Sequence, residues 1–140
     1  MANPKLDPYL NFNGNCAEAF KFYEKVLGGK IEMLMTFGNS PMAAQMPPGA
    51  ADMIMHAKMT IDGQVLMGSD VPPGRTYEGI KGASLSLDFA NPDLAKKAFT
   101  ALAEGGTVGM PLEKTFWAEA FGMVTDRFGV SWLVGCEKLR

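Results

Sequence analysis

The stretch that decides the fold is LDPYLNFNGNCAEAFKFYEKVLGGKIEM, residues 6–33, which returns in altered form as GASLSLDFANPDLAKKAFTALAEGGTVGM, residues 82–110. An offset of 77 residues superimposes Phe22 on Phe99 and aligns the two Gly-Gly pairs. In both stretches, a short alternating apolar run is followed by a polar helix cap, apolar residues at helical spacing and Gly-Gly. The chain therefore contains two copies of one structural unit.

Each copy is predicted to form four strands and one helix in the order βαβββ. The predicted helices are residues 16–27, capped by Asn13 or Asn15, and residues 92–103, capped by Asn91. The predicted strands are residues 9–12, 30–37, 53–61 and 64–68 in the first copy, and 83–89, 107–110, 122–126 and 130–136 in the second. Residues 38–51, rich in Pro, Gly, Ala and Met, are predicted as an irregular loop. We expect one domain, residues 1–140, built from modules 6–70 and 80–137.

Composition and charge exclude several classes of protein. The 140 residues include 13 Lys and Arg against 15 Asp and Glu, a net charge of -2, so we expect no nucleic-acid partner. No apolar run reaches the roughly 20 residues that a membrane-spanning helix needs, and the first residues do not form a signal peptide. We therefore expect a cytoplasmic protein with no membrane partner. Cys16 and Cys136 lie outside any CxxC spacing, which argues against a zinc site and a disulfide framework.

Four segments carry a resemblance to a known family. They are FNGNCAEAFKFYEKVLGG at residues 12–29, FGNSP at 37–41, DMIMHAKMTIDG at 52–63 and TFWAEAFGMVTDRFGVSWLV at 115–134. Together with the doubled βαβββ unit, they resemble the PhnB-like branch of the glyoxalase, bleomycin resistance and extradiol dioxygenase superfamily, also called vicinal oxygen chelate proteins. The resemblance implies an α+β fold in which two βαβββ modules form a cup-shaped mixed sheet, with the helices outside and a ligand inside. It also implies a homodimer.

Some members of this branch are named after a demethylubiquinone methyltransferase. The chain has no glycine-rich strand-to-helix turn followed by an acidic residue, which is the pattern that nucleotide-like cofactors use. The residues therefore give no support to that activity.

The resemblance also implies where a metal ion would bind. Metal-dependent relatives place their ligands, mainly His and Glu, on cup-facing strands. Three of the aligned positions fall near Pro8, Gly82 and Leu133, which offer no ligand, and the remaining one falls near His56, the single histidine. One imidazole does not make a metal site, so no cofactor is firmly implied. A divalent metal stays open if nearby carboxylates help, and the candidates are Asp7, Asp52 and Asp88.

Strand alternation in residues 53–61 decides what lies beside His56. The methionines of this stretch are expected to pack under the helix, which places Ile54, His56 and Lys58 on the cup side. His56 is either a hydrogen-bonded structural histidine or a pocket residue that binds or polarises a ligand oxygen, and it is the best catalytic candidate. The predicted pocket residues are Leu10, Phe12, Ile54, His56, Lys58, Ser84, Ser86, Trp117 and Phe121.

These observations favour a small-molecule-binding protein of the PhnB-like branch that lacks the full metal ligand set. Whether it is also an enzyme stays open. The alternative is a divalent-metal-dependent lyase, isomerase or dioxygenase that uses His56 and nearby carboxylates. Among the 11 methionines, Met42 and Met46 lie in the predicted loop and are candidates for an adaptable lid over a small organic ligand.

Overall fold

The computed structural model describes residues 3–137 except 42 and 48, so Met42 of the predicted lid lies outside the described residues. The chain divides into two compact units, Met1–Gly79 and Ile80–Arg140. Each unit contains one α-helix and one four-stranded mixed sheet, which confirms the predicted α+β class with two βαβββ modules. Within the described part of the chain, no helix is long and apolar enough to cross a membrane.

The first module contains β1 (Tyr9–Phe12), α1 (Cys16–Leu27), β2 (Lys30–Thr36), β3 (Ile54–Ile61) and β4 (Gln64–Asp70). Its sheet has the order β1-β4-β3-β2, in which β1 is parallel to β4 and the other neighbours are antiparallel. Strand β4 extends past its predicted end because Ser69 and Asp70 pair with β1. The predicted loop contains two 3-10 turns, Phe37–Asn39 and Ala43–Gln45.

The second module contains β5 (Leu85–Asp88), α2 (Pro92–Ala103), β6 (Thr107–Glu113), β7 (Ala118–Thr125) and β8 (Ser131–Glu137). Its sheet has the order β5-β8-β7-β6, with β5 parallel to β8. Strand β6 continues through Pro111 to Glu113, past its predicted end at Met110. Because β6 lies at the edge of the sheet, a residue without an N–H group is tolerated there. Strand β7 begins at Ala118, four residues before its predicted start, because its first residues pair with β8.

The two helices begin with different caps. In α2, the Asn91 side chain accepts a hydrogen bond from Leu94 N at 2.9 Å, as predicted. In α1, Asn15 lies at the cap position but its side chain makes no capping bond, which corrects the prediction. Two N–H groups at this end are satisfied by a residue remote in sequence, because Asp70 Oδ1 accepts from Gly14 N at 2.9 Å and from Cys16 N at 3.0 Å. A buried carboxylate of β4 therefore fixes the start of α1.

Each helix covers one face of its own sheet. The buried residues recur at helical spacing, and they are Cys16, Ala19, Phe20 and Tyr23 in α1, and Ala95, Ala98, Phe99 and Leu102 in α2. A Cβ atom placed on Gly68 would lie 3.0 Å from the Phe20 ring, and one on Gly122 would lie 2.8 Å from the Phe99 ring. Phe20 is therefore the packing counterpart of Phe99, whereas Phe22, which the offset of 77 matched to Phe99, is only half-buried.

Candidate functional site

The sheet of the first module has one face covered by α1 and one face without a helix, which we call the first open face. Gly68 lies opposite Leu10 and Ala57, and it contacts the Phe20 ring, so this row faces α1. Because side chains alternate along a strand, the adjacent positions face the other way. The first open face includes Tyr9, Met33, Met35, His56, Lys58 and Met67.

Tyr9 and His56 form a pair on the first open face. The Tyr9 hydroxyl lies 3.2 Å from His56 Nδ1, and the two rings stack with centroids 5.7 Å apart and an interplanar angle of 27°. Tyr9 is 45% exposed, and His56 is half-buried. No residue in the described part of the chain hydrogen-bonds to Nε2 of His56. The stacked ring is therefore held in place while one of its nitrogens stays available to another molecule.

The tautomer of His56 decides what Nε2 offers. When the tyrosine hydroxyl donates to Nδ1, Nε2 carries the proton and donates; when Nδ1 donates to the hydroxyl, Nε2 accepts. Either arrangement suits a ligand oxygen, as a carbonyl or as a hydroxyl. The pair can therefore bind or polarise an oxygen atom, which is the functional hypothesis that the sequence raised for His56.

Other residues of the first open face add thioethers and one cation near the pair. Met35 lies opposite His56 in the ladder, and Met33 and Met67 both lie opposite Lys58. Methionine side chains adapt to irregular apolar shapes, and the half-buried lysine adds a positive charge beside them. The face thus combines an adaptable apolar bed with a small number of polar groups, a combination typical of sites for small molecules.

Three predicted pocket residues belong to the core of the first module instead. Phe12 is fully buried, with its ring 6.1 Å from that of Phe20, and Leu10 lies in the row that faces α1. Ile54 is only 3% exposed and lies where the pairing of β2 with β3 shifts register. A bulge breaks strict alternation, so Ile54 does not share the exposure of His56.

Two residues important to this region were missed by sequence reasoning. Tyr9 precedes Leu10, and choosing Leu10 and Phe12 selected the wrong face of a four-residue strand. The available signal was the hydroxyl of Tyr9, which distinguishes it from Leu10 and Phe12, the apolar core residues of the same strand. Asp70 was missed because its partners lie in two remote segments, Gly14 and Cys16 at the start of α1 and Ile54 in β3, and no local pattern records them.

Cys16 has no features of a nucleophile in this environment. Its side chain is fully buried, and burial together with the neighbouring Asp70 carboxylate raises the pKa of the Cys16 thiol. A thiol that stays protonated does not attack, so a small residue filling the junction of α1 with the sheet is the better interpretation. Burial and the carboxylates of Asp88 and Glu119 likewise raise the pKa of the Cys136 thiol.

The second module has an equivalent surface, the second open face, on the side of its sheet away from α2. Gly122 contacts Phe99 and pairs with Val134, so the positions adjacent to them face away from the helix. The second open face includes Ser86, Asp88, Met110, Phe121, Met123 and Leu133. At its ends, Ser84 and Ser131 share a hydrogen bond between hydroxyls at 2.7 Å, and the Trp117 ring contacts that of Phe121.

A metal site does not fit the described residues. Among them, no group of three or more His, Cys, Asp and Glu side chains is arranged to hold a metal ion. The neighbours of His56 include a tyrosine hydroxyl, thioethers and the ammonium of Lys58, whereas a divalent ion prefers carboxylates or further imidazoles at such a position. These residues therefore do not form the ligand set of a divalent ion.

Comparison with known proteins places this fold in a family. The profile of the family described as 3-demethylubiquinone-9 3-methyltransferase matches residues 4–135. Protein YjdN of Escherichia coli (strain K12) is 37% identical over 142 residues, covering 95% of each chain.

Solved structures agree with this match. Protein PA1353 from Pseudomonas aeruginosa is 51% identical, with a TM-score of 0.89 and coverage of 96% of this chain and 98% of that one. A Bacillus cereus protein, titled a putative 3-demethylubiquinone-9 3-methyltransferase and PhnB protein, is 25% identical, with a TM-score of 0.81 over 95% of this chain and 99% of that one. A glyoxylase/bleomycin resistance protein/dioxygenase domain from Frankia is 10% identical, with a TM-score of 0.68 and coverage of 99% and 93%, which shows the shared fold alone.

Proposed function

The chain belongs to the family described as 3-demethylubiquinone-9 3-methyltransferase, the PhnB-like branch of the vicinal oxygen chelate superfamily, and on this premise we propose that it binds a small organic molecule through Tyr9 and His56. The observation that carries the proposal is the stacked and hydrogen-bonded Tyr9–His56 pair on the first open face. Its role is to hold an oxygen atom of the ligand.

The apolar part of the ligand would lie on the methionines. Met33 is 40% exposed, and Met35 and Met67 are half-buried, so their thioethers are accessible from the open side of the sheet. Covering them with a ligand removes apolar surface from water, at about 25 cal/mol per Å². Methionine side chains also change rotamer at low cost, which suits ligands of more than one shape.

Lys58 gives the first open face a preference for negatively charged ligands. It lies between Met33 and Met67 in the ladder, and the acidic residue of the neighbouring strand, Glu32, accepts a hydrogen bond from Thr60 Oγ1 at 3.1 Å. A negatively charged oxygen on the ligand would be attracted by the Lys58 ammonium and would accept a hydrogen bond from His56 Nε2. We therefore expect ligands that carry a carboxylate, a sulfonate or an enolate oxygen to bind better than neutral analogues.

The experiment uses anilinonaphthalene sulfonate, a fluorescent probe that has both aromatic rings and a negatively charged sulfonate group. Wild-type protein should bind the probe with increased fluorescence, and His56→Ala should weaken binding about tenfold, which corresponds to roughly 1.4 kcal/mol. Tyr9→Phe, which keeps the ring and removes the hydroxyl, should weaken binding by a smaller factor. Lys21→Ala on the exposed side of α1 is the matched control and should bind as the wild type does.

Unchanged affinity in both His56→Ala and Tyr9→Phe would contradict the proposal. The same dye also binds partly unfolded proteins, so each variant is first compared with the wild type by thermal melting and near-ultraviolet circular dichroism. A variant that keeps its melting temperature and loses the dye supports the site.

Three other expectations accompany this function as proposals. A homodimer is expected from the family resemblance, and its mass in solution can be measured by light scattering. If residues 1–140 form one domain, as we expect, the chain should unfold in a single cooperative transition. A cytoplasmic location can be checked by cell fractionation.

A further inference from the structure

Three aromatic residues form an exposed corner where β7 begins. The Phe116 and Trp117 rings have centroids 4.8 Å apart and meet at 79°, and the Trp117 and Phe121 rings have centroids 5.5 Å apart and meet at 62°. Phe116 is 87% exposed and Trp117 is 48% exposed. Rings at steep angles to one another present faces in different directions, and ring faces are the electron-rich surfaces that attract cations.

A carboxylate lies within this corner. Residues of β7 alternate in burial, and Ala118 and Ala120 are buried whereas Glu119 and Phe121 are half-buried. The pairing of β7 with β8 shifts register between Ala118 and Ala120, so alternation alone does not assign a side of the strand to Glu119. Glu119 is two residues from Trp117 and two from Phe121, whose rings are in contact, and this proximity places a negative charge near the corner.

A second carboxylate approaches Phe121 from the neighbouring strands. Asp88 of β5 pairs with Gly135 of β8, and Gly135 pairs with Phe121. A Cβ atom on Gly135 would lie 3.5 Å from the Phe121 ring, so that ring packs against the residue that pairs with Asp88. The Asp88 Oδ1 atom accepts a hydrogen bond from Glu137 N at 3.2 Å. On the other side of Phe121, Glu113 is its partner in the ladder.

The charge of this sheet has one sign. The strands read LSLD, TVGMPLE, AEAFGMVT and SWLVGCE, and every charged residue in them is acidic; these residues are Asp88, Glu113, Glu119 and Glu137. The strands therefore place negative charge beside the aromatic corner. The basic residue next to them in sequence is Lys114, which is exposed between β6 and Phe116.

We propose that the Phe116, Trp117 and Phe121 corner, with Glu119 and Asp88 beside it, binds an organic ammonium ion. The alkyl groups of such an ion contact the ring faces, and its positive charge is attracted both by the rings and by the carboxylates. An anion would be repelled by the same carboxylates. This site goes beyond the function proposed for Tyr9 and His56, because it uses other residues and takes the opposite charge.

The test uses choline as the probe and dimethylbutanol, in which carbon replaces the ammonium nitrogen, as its neutral isostere. The chain has two tryptophans, so proton–nitrogen correlation spectra contain two indole signals, which a Trp117→Leu variant assigns. Choline should move the Trp117 signal and leave that of Trp132, whose Nε1 donates to Asp126 Oδ2 at 2.8 Å inside the core. Dimethylbutanol should produce no comparable shift.

Variants identify the groups responsible. Trp117→Leu should weaken choline binding about tenfold, followed through the amide signals of β7, and Glu119→Gln should weaken it about fivefold. Glu104→Gln, an exposed acidic residue beyond the end of α2, is the matched control and should leave the affinity unchanged. Tyr9→Phe should also leave choline binding unchanged, so failure of this site and failure of the proposed function are distinguishable.

Any one of three results overturns the proposal. Equal shifts with choline and dimethylbutanol would make the corner a merely apolar surface. A Trp117 signal that stays in place up to saturating choline, or equal affinity in wild type and Glu119→Gln, would remove the cation site.

Discussion

The two modules share one topology but present open faces of opposite chemistry. In each module the first strand is parallel to the last, and the other strands follow in the same order. The first open face carries Tyr9, His56 and Lys58 among methionines, whereas the second carries Asp88 and Phe121, with Glu119 and Trp117 at its end. Strand pairing and helix packing determine which residues lie on the open face of each sheet. They do not determine whether those residues are basic, acidic or apolar.

The interiors differ in a related way. Asp70 and Asp126 are both buried, and each accepts three hydrogen bonds that are at most 3.0 Å long. Asp126 joins its own turn, through Phe128 N and Val130 N, to the indole of Trp132. Asp70 instead joins β4 to the start of α1 and to β3. The first module thus depends on a contact between remote segments where the second uses a local one.

The largest expected effect breaks that remote contact. Asp70→Ala leaves three N–H donors without an acceptor, two of them buried, and we expect it to lower the free energy of unfolding by about 3 to 5 kcal/mol. Urea unfolding followed by circular dichroism measures the change. Asp52→Ala, at an exposed acidic residue of the same module, is the control and should change stability by less than about 0.5 kcal/mol. A loss below about 1 kcal/mol for Asp70→Ala would contradict the role assigned to this carboxylate.

The next effect concerns pH and the thiol beside Asp70. Because the pKa of Cys16 is raised in the folded state from an ordinary value of 9.0, the unfolded chain loses its thiol proton first as pH rises. Ionisation of this thiol therefore does not lower the free energy of unfolding below pH 9. Above pH 9 it lowers that free energy by about 1.4 kcal/mol per pH unit. Unfolding of wild type and Cys16→Ala between about pH 8 and pH 10 checks this, and the variant should lose less stability. Parallel curves for the two proteins would contradict the assignment.

A smaller effect on dye binding is expected when one charged side chain is removed from each module. Lys58→Gln should weaken binding of anilinonaphthalene sulfonate about fivefold, because it removes one cation from a partly exposed site. Glu119→Gln should leave this binding unchanged, since that residue belongs to the second module. Fluorescence titration of both variants measures the difference. If the two substitutions had equal effects, charge would not distinguish the faces.

The smallest effect is expected at the hydroxyl pair of the second module. Ser84 and Ser131 share a hydrogen bond at 2.7 Å, but it is exposed to water, which replaces it readily. Ser84→Ala should therefore change the free energy of unfolding by less than about 0.5 kcal/mol. A loss above about 1 kcal/mol in urea unfolding would mean that this pair stabilises the second sheet more than its exposure suggests.

The helices were predictable from sequence because their signals are local. Apolar spacing, Asn91 and the Gly-Gly pairs gave both helices their observed bounds, Cys16–Leu27 and Pro92–Ala103. Strand ends were less predictable, because they depend on a partner strand. Strand β4 continues to Asp70 only because β1 pairs with it, and β6 passes Pro111 because it lies at an edge.

The candidate site was predictable only in part for the same reason. Alternation placed His56 and Lys58 on the open side, where the structure has them. The same rule failed at Ile54, where a register shift interrupts it, and at β1, where Leu10 and Phe12 were chosen in place of Tyr9. Contacts such as Tyr9 with His56 join residues 47 positions apart and leave no local pattern.

The most direct test of the central claim follows the methionine methyl signals in proton–carbon spectra during titration with anilinonaphthalene sulfonate. Binding at the Tyr9–His56 pair predicts that the methyl signals of Met33, Met35 and Met67 move together, with the same apparent affinity as the fluorescence change. Met110 and Met123, on the second open face, should stay in place. Movement of Met110 and Met123, with Met33, Met35 and Met67 unchanged, would contradict the account.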